Sequence, residues 1–384
     1  MKPTLLLLTL LLITSISALQ AQIAVPGDGS DGALSVTASN LVIDLSQAIT
    51  GTWDANNSAN AGKGIFDPSK RAIIFKYSSV NIASGRTVTF TNHPSRAPVV
   101  WLVQGGVTLA GVLNLNGAVA TNGANLPSEP GPGGFRGGAK GSLGTGAGLG
   151  IGGTNFSNGT YWLPASHAAT YGNPSIVPLM GGSGSGPSNF SSGSGGGGAI
   201  LIAAVNSILV SGSITSIGGG GSGGGSSGAI RLVANVINGS GSVDARDDGR
   251  IRLEANSVSG TLVTQPQTIA VPPATPPVIW PGNTAPTVKV VSVDTSAAPA
   301  VPTAPLDLTA DIGISTNGAT TVLLQTTNFP TTGLVQVRSA GKFANNATWT
   351  TAAFQSGDVT SATWTATVTF PTGFTTLQAR ATVP

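Results

Sequence analysis

The chain has 384 residues, no cysteine, a formal net charge of +3 and only 8% charged residues. Without cysteine there are no disulfides or thiolate metal sites, and charge this sparse, against about 25% in ordinary soluble domains, leaves no basic surface for nucleic-acid phosphates. Apolar residues make up 40% and fall in alternating runs, which excludes a disordered chain.

Residues 1–21 read as a secretory signal: Lys2, an apolar run from Leu5 to Ile16, and a small-residue exit ending at Ala21. That run is shorter than the roughly 20 residues of a spanning helix, and no second one follows. The expectation is therefore a secreted or cell-surface protein whose mature chain starts near Gln22 and carries no transmembrane segment. Just downstream, Asp28 and Asp31 imitate a calcium loop but lack its later bidentate glutamate, so a mobile turn is expected there.

Helix signals are almost absent beyond this point, and strands dominate. Val80 and Ile82, Val88 and Phe90, Val100 and Leu102, Val107 and Leu109, and Leu113 and Leu115 are alternating apolar pairs, each set on one face of a strand. Pairing Val80 with Val100 and Val88 with Val107 gives a repeat of 20 and 19 positions. Downstream, Gly198-Ala199-Ile200-Leu201-Ile202, Gly228-Ala229-Ile230-Arg231-Leu232 and Gly249-Arg250-Ile251-Arg252-Leu253 are versions of one phrase. Ile230 and Ile251 stand 21 apart, and Val236 and Val258 stand 22 apart. Ile200 and Ile230 stand 30 apart, the excess falling on a loop over Gly218 to Gly228. Repeats near this length predict parallel coils stacked about 4.8 Å apart over aliphatic columns, with Arg231 and Arg252 pointing outward. A meander of antiparallel hairpins is the competing architecture; it needs Asn-Gly or Asp-Gly turns, found only in places such as Asn116-Gly117 and Asn238-Gly239.

Between Gly117 and Gly198, 25 of 82 residues are glycine. The tract is either a flexible excursion or a set of polyglycine loops packed on the body, and backbone entropy favours partial mobility. It carries an aromatic island of Phe156, Tyr161, Trp162, His167 and Tyr171, which is either a ligand-contact surface or a clasp that ties the loop down. Prolines between 266 and 284 read as a semi-rigid linker. From 285 to 384, alternation over Ala362 to Phe370, with similar runs at Thr321 to Gln325 and Leu334 to Arg338, predicts a small antiparallel sandwich.

Reactive chemistry is thin. There are two histidines, His93 and His167, and two glutamates, Glu129 and Glu254, so no zinc-ligand spacing exists and no metal or cofactor is expected. Gly148 to Gly153 matches GxGxxG and Gly220 to Gly224 matches GxSxG, but glycine tracts generate both by chance. Asn155, Asn158 and Asn346 open glycosylation sequons that matter only where exported chains are glycosylated. Asp244, Asp247 and Asp248, with Arg246 and Arg250, form the one acidic cluster with catalytic promise, as acid and base toward a glycosidic bond or as a calcium-dependent lyase site; the other reading is a charged turn in which Asp caps backbone donors.

The phrases at Gly228 to Leu232 and Gly249 to Ala255, together with Phe66 to Gly117, resemble a loosely defined group of glycine-rich secreted bacterial proteins with GGAI-type and GRIRLEA-type strands. That resemblance implies a β-helix outside the cell and brings no catalytic residues with it. The combined expectation is an all-β chain: a right-handed parallel β-helix over 22–265 with its excursion at 117–198, a linker at 266–284, and an immunoglobulin-like sandwich over 285–384. The expected function is non-catalytic, structural or adhesive, with extracellular polysaccharide or envelope components as partners. A pectate-lyase-like lyase or glycoside hydrolase is the alternative.

Overall fold

The computed structural model describes residues 23–54, 62–120, 126–138, 155–157, 160–162, 174–186, 191–220, 224–246, 248–300, 310–316, 318–341, 348–370 and 375–383. Among them the chain is all-β, its one helical element being the single turn Leu45–Gln47, capped by the Asp44 carboxylate. A curled ten-stranded sheet and a six-stranded sheet contain the first part of the chain. Apart from one antiparallel pair, Ile65–Asp67 with Ala72–Tyr77, their strands run parallel, which a hairpin meander cannot produce.

Three columns define the register. Ile73, Val99, Ile200, Ile230 and Ile251 form the first. Leu34, Val80, Val107, Ile208, Ile237 and Val258 form the second. The third runs Leu41, Val88, Leu113, Ile214, Val243 and Thr264. Ile230 thus lies against Ile251 and Ile200 as the phrase repeat predicts. The upstream intervals differ from those expected: Val80 partners Val107, not Val100, and Val88 partners Leu113, not Val107. Each side of the stack contributes a similar alternating pair, so matching one side to another mimics a shorter repeat. Likewise Val258 faces Ile237, and Val236 faces Ser257.

Side chains pointing into the stack form one apolar cluster that includes Phe75, Trp101, Leu109, Ile214 and Leu253. The side built from Ala72–Tyr77, Val99–Val103 and the first halves of Ala199–Val210 and Ala229–Gly239 carries buried apolar residues on its outer face too. There Ala72, Ile74, Val100, Leu102, Leu201, Ala203 and Val233 are covered by Ile23, Val25 and Ile279, with Trp53 and Trp280 against them. Burial on both faces explains the uninterrupted Val99-Val100-Trp101-Leu102-Val103 run. Each such aliphatic side chain contributes about 1.5–3 kcal/mol on burial.

The proline-rich stretch is partly docked. Val271 forms a parallel bridge with Glu254, its N–H donating to Leu253 O at 3.0 Å and its carbonyl accepting from Ala255 N–H at 2.9 Å. Ile279 is buried over the outer face.

The glycine-rich tract packs through its backbone. Phe135 N–H donates to Gly182 O, Gly196 N–H to Phe135 O, Gly182 N–H to Gly197 O, and Gly197 N–H to Ser226 O, all at 2.8–2.9 Å. Gly195 N–H reaches Ala118 O, and Gly219 N–H reaches Gly195 O. Gly181 to Gly186 and Ser191 to Gly198 are all buried. A Cβ added to Gly182, Gly193, Gly195, Gly196 or Gly225 would overlap a carbonyl group of a neighbouring segment, so only glycine allows this approach. Of the two readings of this tract, packed loops describe these segments.

Beyond residue 285 the strands pair antiparallel. Thr287–Val293, Ser296–Ala297, Ala319–Thr327, Ala353–Gly357 and Ala362–Thr369 make one sheet; Leu334–Gly341, Thr350–Thr351 and Thr375–Thr382 make another. Val293, Val322, Leu324, Phe329, Val335, Val337, Trp364 and Val368 from both sheets share one apolar cluster. The predicted alternation over Ala362–Thr369 appears as buried Ala362, Trp364, Ala366 and Val368 between more open threonines.

Candidate functional site

Asp244 ends the strand Ser242–Asp244 and is buried. Arg246 holds both its oxygens: the Arg246 Nε lies 3.2 and 3.0 Å away, Nη2 closes the pair, and the Arg246 backbone N–H donates at 2.9 Å. Asp248 is exposed and accepts the Ser227 N–H at 3.2 Å. Arg250 opens the next strand, and Asp247 lies outside the described residues. Asp244 is thus engaged in shaping the turn that follows its strand, and Asp248 ties that turn to the segment at Ser227.

The aromatic island retains a hairpin. Asn155–Ser157 and Thr160–Trp162 pair antiparallel, with Phe156 opposite Tyr161 and Asn155 opposite Trp162. His167 and Tyr171 lie outside the described residues.

Not foreseen from the sequence is a set of buried and half-buried ion clusters that fasten segments to the stack. Glu254, 3% exposed, receives Arg231 at 2.8–2.9 Å and Arg252 Nε at 2.6 Å. Arg231 also donates to Val278 O at 2.7 Å, and Arg252 to Pro174 O at 3.4 Å. Arg231 therefore does point away from the columns, as expected, but it is 2% exposed because the stretch around Val278 covers it. Burial pushes its pKa down while the Glu254 charge pulls it back up. Glu129 plays the same part for the glycine-rich tract. It accepts Arg96 Nε at 3.1 Å and Nη2 at 3.0 Å, receives Asn92 Nδ2 at 3.3 Å, and lies 3.9 Å from buried Arg136. The one signal in the sequence is local to Glu254, which stands two positions after Arg252.

Asp28 and Asp31 are also fasteners. Lys76, buried on the outer face, places Nζ 3.1 Å from Asp28 Oδ2, and its backbone N–H donates to Asp31 Oδ2 at 2.6 Å; Gly62 N–H takes Oδ1 at 2.8 Å. Desolvation raises the Asp28 pKa, but hydrogen bonds from Ser30 and the Lys76 ammonium outweigh it and hold the carboxyl at about 2. Burial dominates at Asp31 and pushes its pKa up. With these oxygens occupied by protein donors, the turn is a tether. In the C-terminal sheets, Trp349 lies under two guanidiniums, 4.7 Å from Arg338 and 4.2 Å from Arg380.

Among the described residues no three His, Cys, Asp or Glu side chains gather as a metal site, and no helix is long and apolar enough to cross a membrane. Compared with protein-family models, curated proteins and solved structures, the chain has no match.

Proposed function

We propose that this chain is an exported, non-catalytic surface protein that contacts extracellular polysaccharide or envelope components. In this reading residues 22–265 are a right-handed parallel β-helix serving as a rigid rod, and residues 285–384 are an immunoglobulin-like spacer or contact module. The parallel columns at Ile230 and Ile251 support the rod. What carries the non-catalytic reading is the engagement of the scarce ionic groups: Asp244 with Arg246, Glu254 with Arg231 and Arg252, and Glu129 with Arg96 are each spent on holding segments in place. The hairpin with Phe156, Tyr161 and Trp162 is the proposed contact, since aromatic faces suit sugar rings and need no charge.

A polysaccharide panel scored for both retention and new reducing or unsaturated ends tests this reading. Retention without chain cleavage, lost in the Phe156→Ala, Tyr161→Ala, Trp162→Ala triple variant, is the expected result. New chain ends that vanish in Asp244→Asn would instead establish the pectate-lyase-like or glycosidase alternative.

A further inference from the structure

The loop from Asn92 to Arg96 is the body's grip on the glycine-rich tract. Besides the Glu129 contacts, Asn92 Nδ2 donates to Pro130 O at 2.8 Å, and Arg96 O accepts the Gly133 N–H at 2.8 Å. The loop's own shape depends on one ring. His93 Nδ1 accepts the Ser95 backbone N–H at 3.1 Å and lies 2.7 Å from Ser95 Oγ, while the ring packs on Phe66 with centroids 4.3 Å apart. A backbone N–H can only donate, so Nδ1 must be unprotonated in this state. The turn then closes with Arg96 N–H on His93 O at 2.8 Å, and Arg96 is held at φ 51°, a left-handed conformation costly for any residue with a Cβ unless the surroundings support it.

We propose that His93 is an acid-released latch: protonation at Nδ1 opens the 92–96 turn and loosens its grip on residues 129–133. Protonation makes Nδ1 a donor facing the Ser95 N–H donor. Ser95 Oγ can rotate to accept, but the backbone bond is lost. Arg96 then loses the turn that holds its strained backbone, and with it the aim of its guanidinium at Glu129. The charged groups of the grip are Arg96 on the same loop and, across it, Glu129 and Arg136, while the ring itself touches Ser95 and Phe66. Asp67, next to Phe66, turns its carboxylate to the Trp53, Ser69 and Lys70 amides. Burial, which pushes the His93 pKa down, favours the neutral, latched state at neutral pH.

Hydrogen exchange on the full chain between about pH 7.5 and 5.5 tests this, since histidine is the side chain that titrates in that window. After correction for intrinsic rates, protection at Ser95 and Gly133 should fall by up to about tenfold per pH unit once His93 protonates. His93→Asn supplies a side-chain oxygen that can accept the same i+2 N–H but does not titrate, so its protection should stay flat. His93→Ala should be weakly protected at Ser95 at every pH. Flat wild-type protection, an equal fall in wild type and His93→Asn, or wild-type behaviour in His93→Ala would each overturn the proposal.

Discussion

Gly181 is the place to measure how strictly the packed tract demands glycine. A Cβ there would stand 2.6 Å from Gly197 O, 2.7 Å from Gly134 N and 2.8 Å from Gly133 C, all backbone atoms with no flexible end to swing aside. Two opposing effects follow from Gly181→Ala. Fewer unfolded conformations would stabilise the fold by about 0.4–1 kcal/mol, and Gly181 is not at positive φ, so no backbone strain offsets that gain. Overpacking against fixed backbone costs about 1–3 kcal/mol. Spreading the segments also weakens Gly181 N–H to Gly133 O and Gly182 N–H to Gly197 O, both at 2.8 Å, at about 1–3 kcal/mol for each buried bond left open. The clash wins, with a net loss of about 2–4 kcal/mol. Gly282→Ala is the control, because a Cβ there meets nothing within 4 Å. It should be neutral or slightly stabilising. Urea unfolding followed by the buried Trp101, isolated by difference from Trp101→Phe, gives the midpoints. If Gly181→Ala unfolds at the same urea concentration as Gly282→Ala, the tract is not packed through its backbone.

Glu254→Gln leaves Arg231 almost fully buried against an uncharged partner and should cost about 3 kcal/mol in the same assay; adding Arg231→Met should recover part of that loss, as expected for a stranded charge. Asp28 sits at about 2 in the folded chain, below its ordinary 3.8, so its contribution is complete above pH 4 and fades as pH falls through 2. Wild type should therefore lose more stability than Asp28→Asn between those limits. Because that carboxylate is 40% exposed, the difference should shrink in high salt.

Much of the core could be read in advance wherever a whole side of the stack is one unbroken phrase. Ile200, Ile230 and Ile251 fell into register because glycine, small residue and alternating aliphatics recur in the same order. Upstream, the shorter pairs around Val80, Val88, Val100 and Val107 carry no mark of which side they occupy, and the corner lengths that decide it leave no pattern. Arg231 looked like a surface residue because its cover, Val278, lies 47 positions later. Polyglycine has no side-chain periodicity at all, so whether it packs is decided by carbonyls and amides that every sequence possesses. The fasteners at Glu129 and Glu254 were hidden for a related reason: their partners Arg96 and Arg231 are 33 and 23 positions away.

Ile23, Val25 and Ile279 close the same apolar wall, although more than 250 positions separate them. A chain emerging N-terminus first has Ile23 and Val25 at hand early, but the part of the wall that Ile279 closes stays uncovered until the last third arrives. During that interval the wall is a sticky surface, open to a neighbour's strand as much as to its own strap. Chains interrupted before Ile279 should be the ones that aggregate, even with every column of the stack already synthesised.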